Sequence, residues 1–247
     1  MENQNTPASI SRQYGPPLWV TGILFISLSL YLFFRRGYFD LYISNKIYAG
    51  VAAILFGMVL LLGPLGRLFS FADNYVHYRK ELGIIAFILA VIHGVVSLFF
   101  LPARFPLSSY IGALNWPFIF GLVATVFLIA IFFISNEKAM LMIGGKTWWR
   151  IQNWGIRIAF ILVMLHVFIM KWGSWIKWYR AGGSAELVHP EWPGAGLLVG
   201  WFMAFVLFIR LIESFGKTPG RLAWYFSAFA LPLVYILTFI RGGLIFS

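Results

Sequence analysis

Seven stretches of apolar residues, 18–34, 47–62, 82–101, 114–134, 151–170, 194–211 and 222–240, follow one another with little polar chain between them. A helix needs about 20 apolar residues to cross a hydrocarbon core of about 30 Å, so each stretch approaches spanning length. Within lipid every backbone N–H and C=O must be satisfied inside the segment, which for runs of this kind means α-helix. The sequence therefore predicts an all-α integral membrane bundle of about seven transmembrane helices with short loops. Residues 1–17 read as a polar N-terminal tail with Arg12 as its one basic residue. No small-residue cleavage pattern follows cleanly, so the first run is expected to be retained and not to act as a secretory signal. Residues 18–247 are expected to form one transmembrane domain with its core at 47–172.

Composition narrows the function classes. The chain is 61% apolar and 11% charged, with a mean hydropathy of +0.84, whereas about a quarter of the residues of a soluble domain are charged. No separate soluble domain fits. The net charge of +11 is scattered over short loops beside the apolar runs, so membrane lipids are the expected partners and nucleic acid is not. The absence of cysteine excludes disulfides, iron–sulfur clusters and covalent c-type haem.

Charge and breakers delimit the runs: Arg35-Arg36-Gly37, Gly63-Pro64, Arg79-Lys80-Glu81, Pro102, Glu137-Lys138, Lys171, Lys217 with Pro219, and Arg241. Trp148, Trp149, Trp172, Trp175 and Trp178 bracket the fifth run and read as interfacial anchors. The longest connection, 171–193, reads as a loop containing Trp and Gly. Counting Lys and Arg on alternate faces gives nine (Arg12, Arg67, Arg79, Lys80, Lys138, Lys146, Arg150, Lys217, Arg221) against eight (Arg35, Arg36, Lys46, Arg104, Lys171, Lys177, Arg180, Arg241). That balance does not orient the chain.

An ionisable side chain at bilayer depth is costly and is by default a functional candidate. His93 lies 12 residues after Glu81, and His166 lies 16 after Arg150, or about 18 and 24 Å along a helix. The third and fifth helices run in the same direction, so the two imidazoles reach similar depths from one face. Two neutral imidazoles so placed are suited to ligate haem iron from opposite sides, and such ligation favours electron transfer over oxygen binding. Gly94 would let the macrocycle approach the helix backbone. The plainer role for each ring is a hydrogen bond across helices to Ser, Thr or a backbone carbonyl. His77, in a loop beside Arg79-Lys80, and His189, in a polar segment, read as solvated residues; the alternative for His189 is a substrate or metal contact.

The stretch Gly63-Pro64-Leu65-Gly66-Arg67-Leu68, then Arg79-Lys80-Glu81-Leu82-Gly83-Ile84-Ile85-Ala86-Phe87, then Ile92-His93, resembles the ferric reductase-like transmembrane superfamily. Within it the sequence is most similar to MsrQ-type haem-binding subunits of the periplasmic methionine sulfoxide reductase system. The likeness runs from about Tyr48 to Trp172 and takes in Trp149-Arg150 and His166. It implies a haem-bearing bundle with a cytoplasmic basic-pair loop, a cytoplasmic N-terminus, a haem towards the outer face, and residence in a bacterial-type inner membrane. Two-haem relatives carry a second histidine 13 or 14 residues earlier on each ligating helix. Here those positions hold Arg79 or Lys80 and Gln152 or Asn153, so the inner haem pair is absent. MsrQ-type proteins usually keep a histidine at the position of Asn153, a departure in this chain. A flavin or quinone among Trp148, Trp149, Gln152, Asn153 and Trp154 is the carrier that would bridge the remaining distance. The flavin and nicotinamide domain of the larger relatives is missing, so the expected electron donor is a separate cytosolic flavin reductase or a membrane quinol.

Haem propionates need a cationic partner or water. Lys171, five residues past His166, is the first choice and Arg104 the second, each with lipid headgroup contact as its plainer role. Arg157, inside the fifth run, either neutralises an anionic cofactor at the inner level or pairs with Glu213 or a carbonyl. Arg210 and Glu213, three residues apart, are spaced to pair. The sequence thus points to a membrane cytochrome subunit that passes electrons through one bis-histidine haem b to an outer-face acceptor, either a periplasmic reductase partner or a metal ion. The rival readings are a haem-free transporter or assembly factor, and a stand-alone quinol or metal reductase.

Overall fold

The computed structural model describes residues 10–106, 108–111 and 114–246. The residues at 1–9 of the expected polar tail lie outside the described residues. The elements are α1 (Ile10–Arg36), α2 (Leu41–Leu68), a 3₁₀ segment (Ser70–Tyr78), α3 (Arg79–Val95) running into a π-turn (Val96–Phe100), α4 (Ser108–Ile111), α5 (Trp116–Ile134), α6 (Glu137–Ile143), α7 (Gly145–Ala181), α8 (Ala195–Glu213) and α9 (Lys217–Phe246). Seven helices are long and apolar enough to cross a membrane. They coincide with the seven runs expected from sequence, and no strand occurs among the described residues.

α2 is the hub. Ile43, Ile47, Val51 and Leu55, four residues apart and fully buried, form one stripe along its inner face, as a helical period near 3.6 requires. That stripe packs against Val199, Met203 and Val206 of α8 and Leu82 and Ala86 of α3. The other helices present many apolar side chains outward, such as Trp19, Phe133 and Phe229, because their solvent is lipid.

Several boundaries move from the expected ones. α1 begins at Ile10, so 10–17 are helical and not tail. α2 begins at Leu41, where the Asp40 carboxylate accepts from the Ile43 N–H at 2.7 Å; this cap draws Asn45 and Lys46 into the span. Gly63-Pro64 does not end α2, which continues to Leu68 with Pro64 inside it. A proline removes one N–H but still accepts helical φ.

The segment 171–181, expected as loop, is helix. α7 has 37 residues and is about 55 Å long, so it projects well beyond a hydrocarbon core. It ends at Gly182, whose φ of +74° suits glycine. Trp175 and Trp178 are consequently not interfacial anchors. Three residues apart, they share a face buried against Leu197 of α8. A Cβ at Gly200 would lie 2.6 Å from Trp175 Cη2, so only glycine admits that ring. Trp149 and Trp172 do face outward.

Candidate haem-ligand site

His93 sits in the last turn of α3, just before the π-turn, a distortion frequent at functional sites. Its Nδ1 faces the Asn45 side-chain oxygen at 3.0 Å and the Asn45 backbone oxygen at 3.2 Å. The orientation of that amide is fixed in turn, since Asn45 Nδ2 donates to Ser97 Oγ at 2.8 Å. Carbonyl oxygens only accept, so Nδ1 carries the proton and Nε2 carries the lone pair.

His166 on α7 repeats the arrangement with different partners. Its Nδ1 donates to the Pro117 carbonyl of α5 at 2.6 Å. Gly121, one turn along α5, makes room: a Cβ there would lie 2.9 Å from His166 Nδ1. Neither Nε2 has a hydrogen-bond partner among the described residues, and both rings are only half-buried. The imidazoles lie within electrostatic reach of one another.

α3 packs chiefly on α2 and α7 chiefly on α5. A Cβ at Gly94 would meet nothing within 4 Å, so the backbone beside His93 borders open space. Tethered Nδ1–H groups and unpartnered Nε2 atoms fit an iron porphyrin ligated from two sides.

A cationic rim surrounds the same end of the bundle. Lys171 lies within electrostatic reach of both histidines. Lys46 lies within reach of Lys171, Arg104 and Arg36. The ring of Tyr42 holds two of these cations, with Lys46 Nζ 3.9 Å and the Arg104 guanidinium 4.2 Å from its centroid. None of Arg36, Lys46, Arg104 and Lys171 forms an ion pair among the described residues. Lys177 and Arg180 are exposed.

The remaining sequence candidates lie elsewhere. Gln152 is engaged by α5: its Nε2 donates to Ser135 Oγ at 2.8 Å and to the Ile131 carbonyl at 3.2 Å. The Trp148 indole donates to the Ile134 carbonyl at 2.6 Å. Asn153 is half-buried, whereas Trp149 and Trp154 are exposed. Arg157 does not pair with Glu213, because Arg67 and Arg210 take both carboxylate oxygens. The expected Arg210–Glu213 pair is present at 2.6 Å. The His77 ring lies 3.8 Å from that of Tyr78, tilted by 47°. His189 is more than a solvated residue: its Nδ1 meets Glu191 at 2.8 Å and its ring stacks on Trp192. Among the described residues no three His, Cys, Asp or Glu side chains gather as a metal site.

Sequence reasoning missed Asn45, Ser97, Lys46, Pro117 and Gly121 as members of the site. Asn45 left a usable signal, a carboxamide four residues into a helix otherwise apolar on that face. Pro117 acts through its backbone and Gly121 through its lack of a side chain, and neither marks a partner in sequence.

No curated protein matches the chain. Residues 48–156 match the family model described as ferric reductase like transmembrane component, a span that holds His93 and ends ten residues before His166.

Proposed function

We propose that this chain is a b-type cytochrome membrane subunit that passes electrons through one bis-histidine haem, of the kind represented by MsrQ-type proteins. The observation that carries the reading is the matched state of two imidazoles on α3 and α7. Each has Nδ1 tied to a carbonyl and Nε2 free, the arrangement that orients a histidine for metal and raises its basicity.

His93 and His166 would hold the iron, Gly94 would admit the macrocycle edge, and Lys171, Lys46 and Arg104 would neutralise the propionates. Haem b, when bound, supplies a one-electron couple. Asn45 and Pro117 fix the ring planes, and the apolar walls of α2 and α5 exclude water.

The family match over 48–156 supports transmembrane electron transfer as the class of activity. Arg157 and Arg210 line the same cavity as Arg67, which raises the basic count on that face from nine to eleven against eight. The positive-inside rule then favours a cytoplasmic basic face, with the N-terminus inside and the histidines towards the periplasm of a bacterial-type inner membrane. Electrons would enter from a cytosolic flavin reductase or a membrane quinol and leave to a periplasmic reductase partner or a metal ion. A flavin or quinone near Asn153 and Trp154 would serve as intermediate carrier.

The test is a reduced-minus-oxidised spectrum of the purified protein with haem quantified per chain, for wild type and for His93→Ala and His166→Ala. One haem per chain, lost in both variants, is expected. A folded wild-type protein that binds no added haem, or one with two haems, refutes the reading.

A further inference from the structure

The opposite end of the bundle carries a second site that the haem reading does not use. Arg67 at the end of α2, Arg157 on α7, and Arg210, Glu213 and Ser214 at the end of α8 line a polar cavity of about 270 Å³. Glu213 is saturated, with one carboxylate oxygen held by Arg67 and the other by Arg210 at 2.6 Å. Arg157 lies over the Trp154 ring, yet its guanidinium makes no hydrogen bond or ion pair among the described residues, and its Nε is buried without a partner. Arg79 lies within electrostatic reach of Arg67, Arg157 and Arg210. Two guanidiniums thus hold the one carboxylate, while Arg157 lines the same cavity and Arg79 lies within reach of the other three arginines. Arg157 is half-buried without a charged partner, and a partly desolvated cation favours a counter-charge, so the arrangement suits an anion with several acceptor oxygens.

We propose that this cavity binds one phosphate group. A guanidinium fork matches phosphate oxygens in pairs. The volume falls below the range of about 300 to 1,000 Å³ typical of pockets for drug-sized ligands, which suits a phosphate and its immediate ester carbons. Arg67, 65% exposed, leaves the cavity open at the level where α2 and α8 end. That level is where phospholipid headgroups lie, so the phosphate belongs either to an anionic lipid or to a free ion.

The experiment measures Tm of the full chain in phosphatidylcholine nanodiscs in chloride buffer. One arm adds inorganic phosphate at matched ionic strength, and the other replaces part of the lipid by phosphatidylglycerol. Saturation about a hundredfold above Kd is expected to raise Tm by roughly 5 to 10 °C. A response to phosphate assigns the free ion, and a response to phosphatidylglycerol assigns the lipid. In Arg157→Gln the response should vanish, while Tm in plain phosphatidylcholine should equal or exceed that of wild type, because the uncompensated charge is gone. Absence of any response beyond chloride in wild type, or an undiminished response in Arg157→Gln, overturns the proposal. Should Arg157→Gln fail to fold, the two wild-type arms and an Arg67→Gln variant decide in the same way. No outcome depends on haem.

Discussion

Gly121→Ala is the sharpest probe of the ligand site, because it alters the imidazole's seat without substituting either histidine. The added Cβ would lie 2.9 Å from His166 Nδ1 and 3.2 Å from Cε1, against ordinary contact from 3.4 Å. The ring must therefore withdraw by about 0.5 Å. Pro117 is four residues before Gly121, on the same face of α5, so withdrawal also stretches the 2.6 Å bond from Nδ1 to the Pro117 carbonyl towards its limit near 3.2 Å. Loss of a ligand's supporting hydrogen bond weakens metal binding about 10- to 100-fold, equivalent to about 1.4 to 2.8 kcal/mol. Alanine has the better helix propensity by about 1 kcal/mol, so the haem-free protein should remain folded. Haem titration followed by Soret absorbance gives the affinity, and circular dichroism of the haem-free protein checks the fold. Wild-type affinity and an unshifted Soret band in a folded variant would refute the assignment of His166 as a tethered ligand.

Asn45→Ala should act more weakly. The Asn45 backbone oxygen remains 3.2 Å from His93 Nδ1, so a fall in haem affinity of about tenfold, the low end for such partners, is expected in the same titration, and Ser97→Ala should do less. Lys171→Gln should lower the haem midpoint potential by an amount on the order of tens of millivolts, because a nearby cation stabilises the form that has gained an electron; a redox titration showing no change or a rise would remove Lys171 from the propionate site. At the 182–194 loop, burial alone would raise the Glu191 carboxyl, but its own backbone N–H, the His189 ring and the Arg35 charge outweigh that and hold it below the ordinary carboxylate value. A depressed carboxyl stabilises the fold above its unfolded value, and that contribution is lost as pH falls through the folded one. Trp192 fluorescence, reporting the ring stacked on His189, should therefore change on acidification below about pH 4 in wild type and be insensitive there in Glu191→Gln.

The lipid solvent made the spans readable. Seven runs of apolar residues specify seven helices because no other backbone form satisfies itself in hydrocarbon. Element ends were less readable, for opposite reasons at the two ends of α2. Asp40 extends it backward by capping the first turn, whereas Pro64 looks like a stop and is absorbed because its φ is helical. The C-terminal part of α7 was hidden by its own polarity: Lys171, Lys177 and Arg180 suggest loop, yet Trp175 and Trp178 at i and i+3 find a buried face on α8. The histidine pair was legible because a titratable ring in an apolar run has few neutral explanations. Its supports were not, since they act through a backbone carbonyl at Pro117 and the missing side chain of Gly121.

Depth, more than identity, separates the two polar ends of the bundle. Arg157 lies nine residues before His166 on the same helix, about 14 Å along the axis, and its neighbours are Arg67 and Arg210 at the ends of α2 and α8. An arginine that looks stranded inside the fifth run in the sequence therefore lies beside the ends of α2 and α8, because α7 is longer than a membrane core and its centre need not be the bilayer centre. His166 lies that rise further along α7. An electron delivered at the Arg157 end has to cover that rise to reach the histidines. The prediction is then specific: the Arg157→Gln substitution, which alters the basic cavity, should leave the haem spectrum unchanged, while Gly121→Ala should alter the spectrum and leave any phosphate response intact. A spectrum that shifts in Arg157→Gln would show that the two ends are one site, and would move the haem towards the basic face.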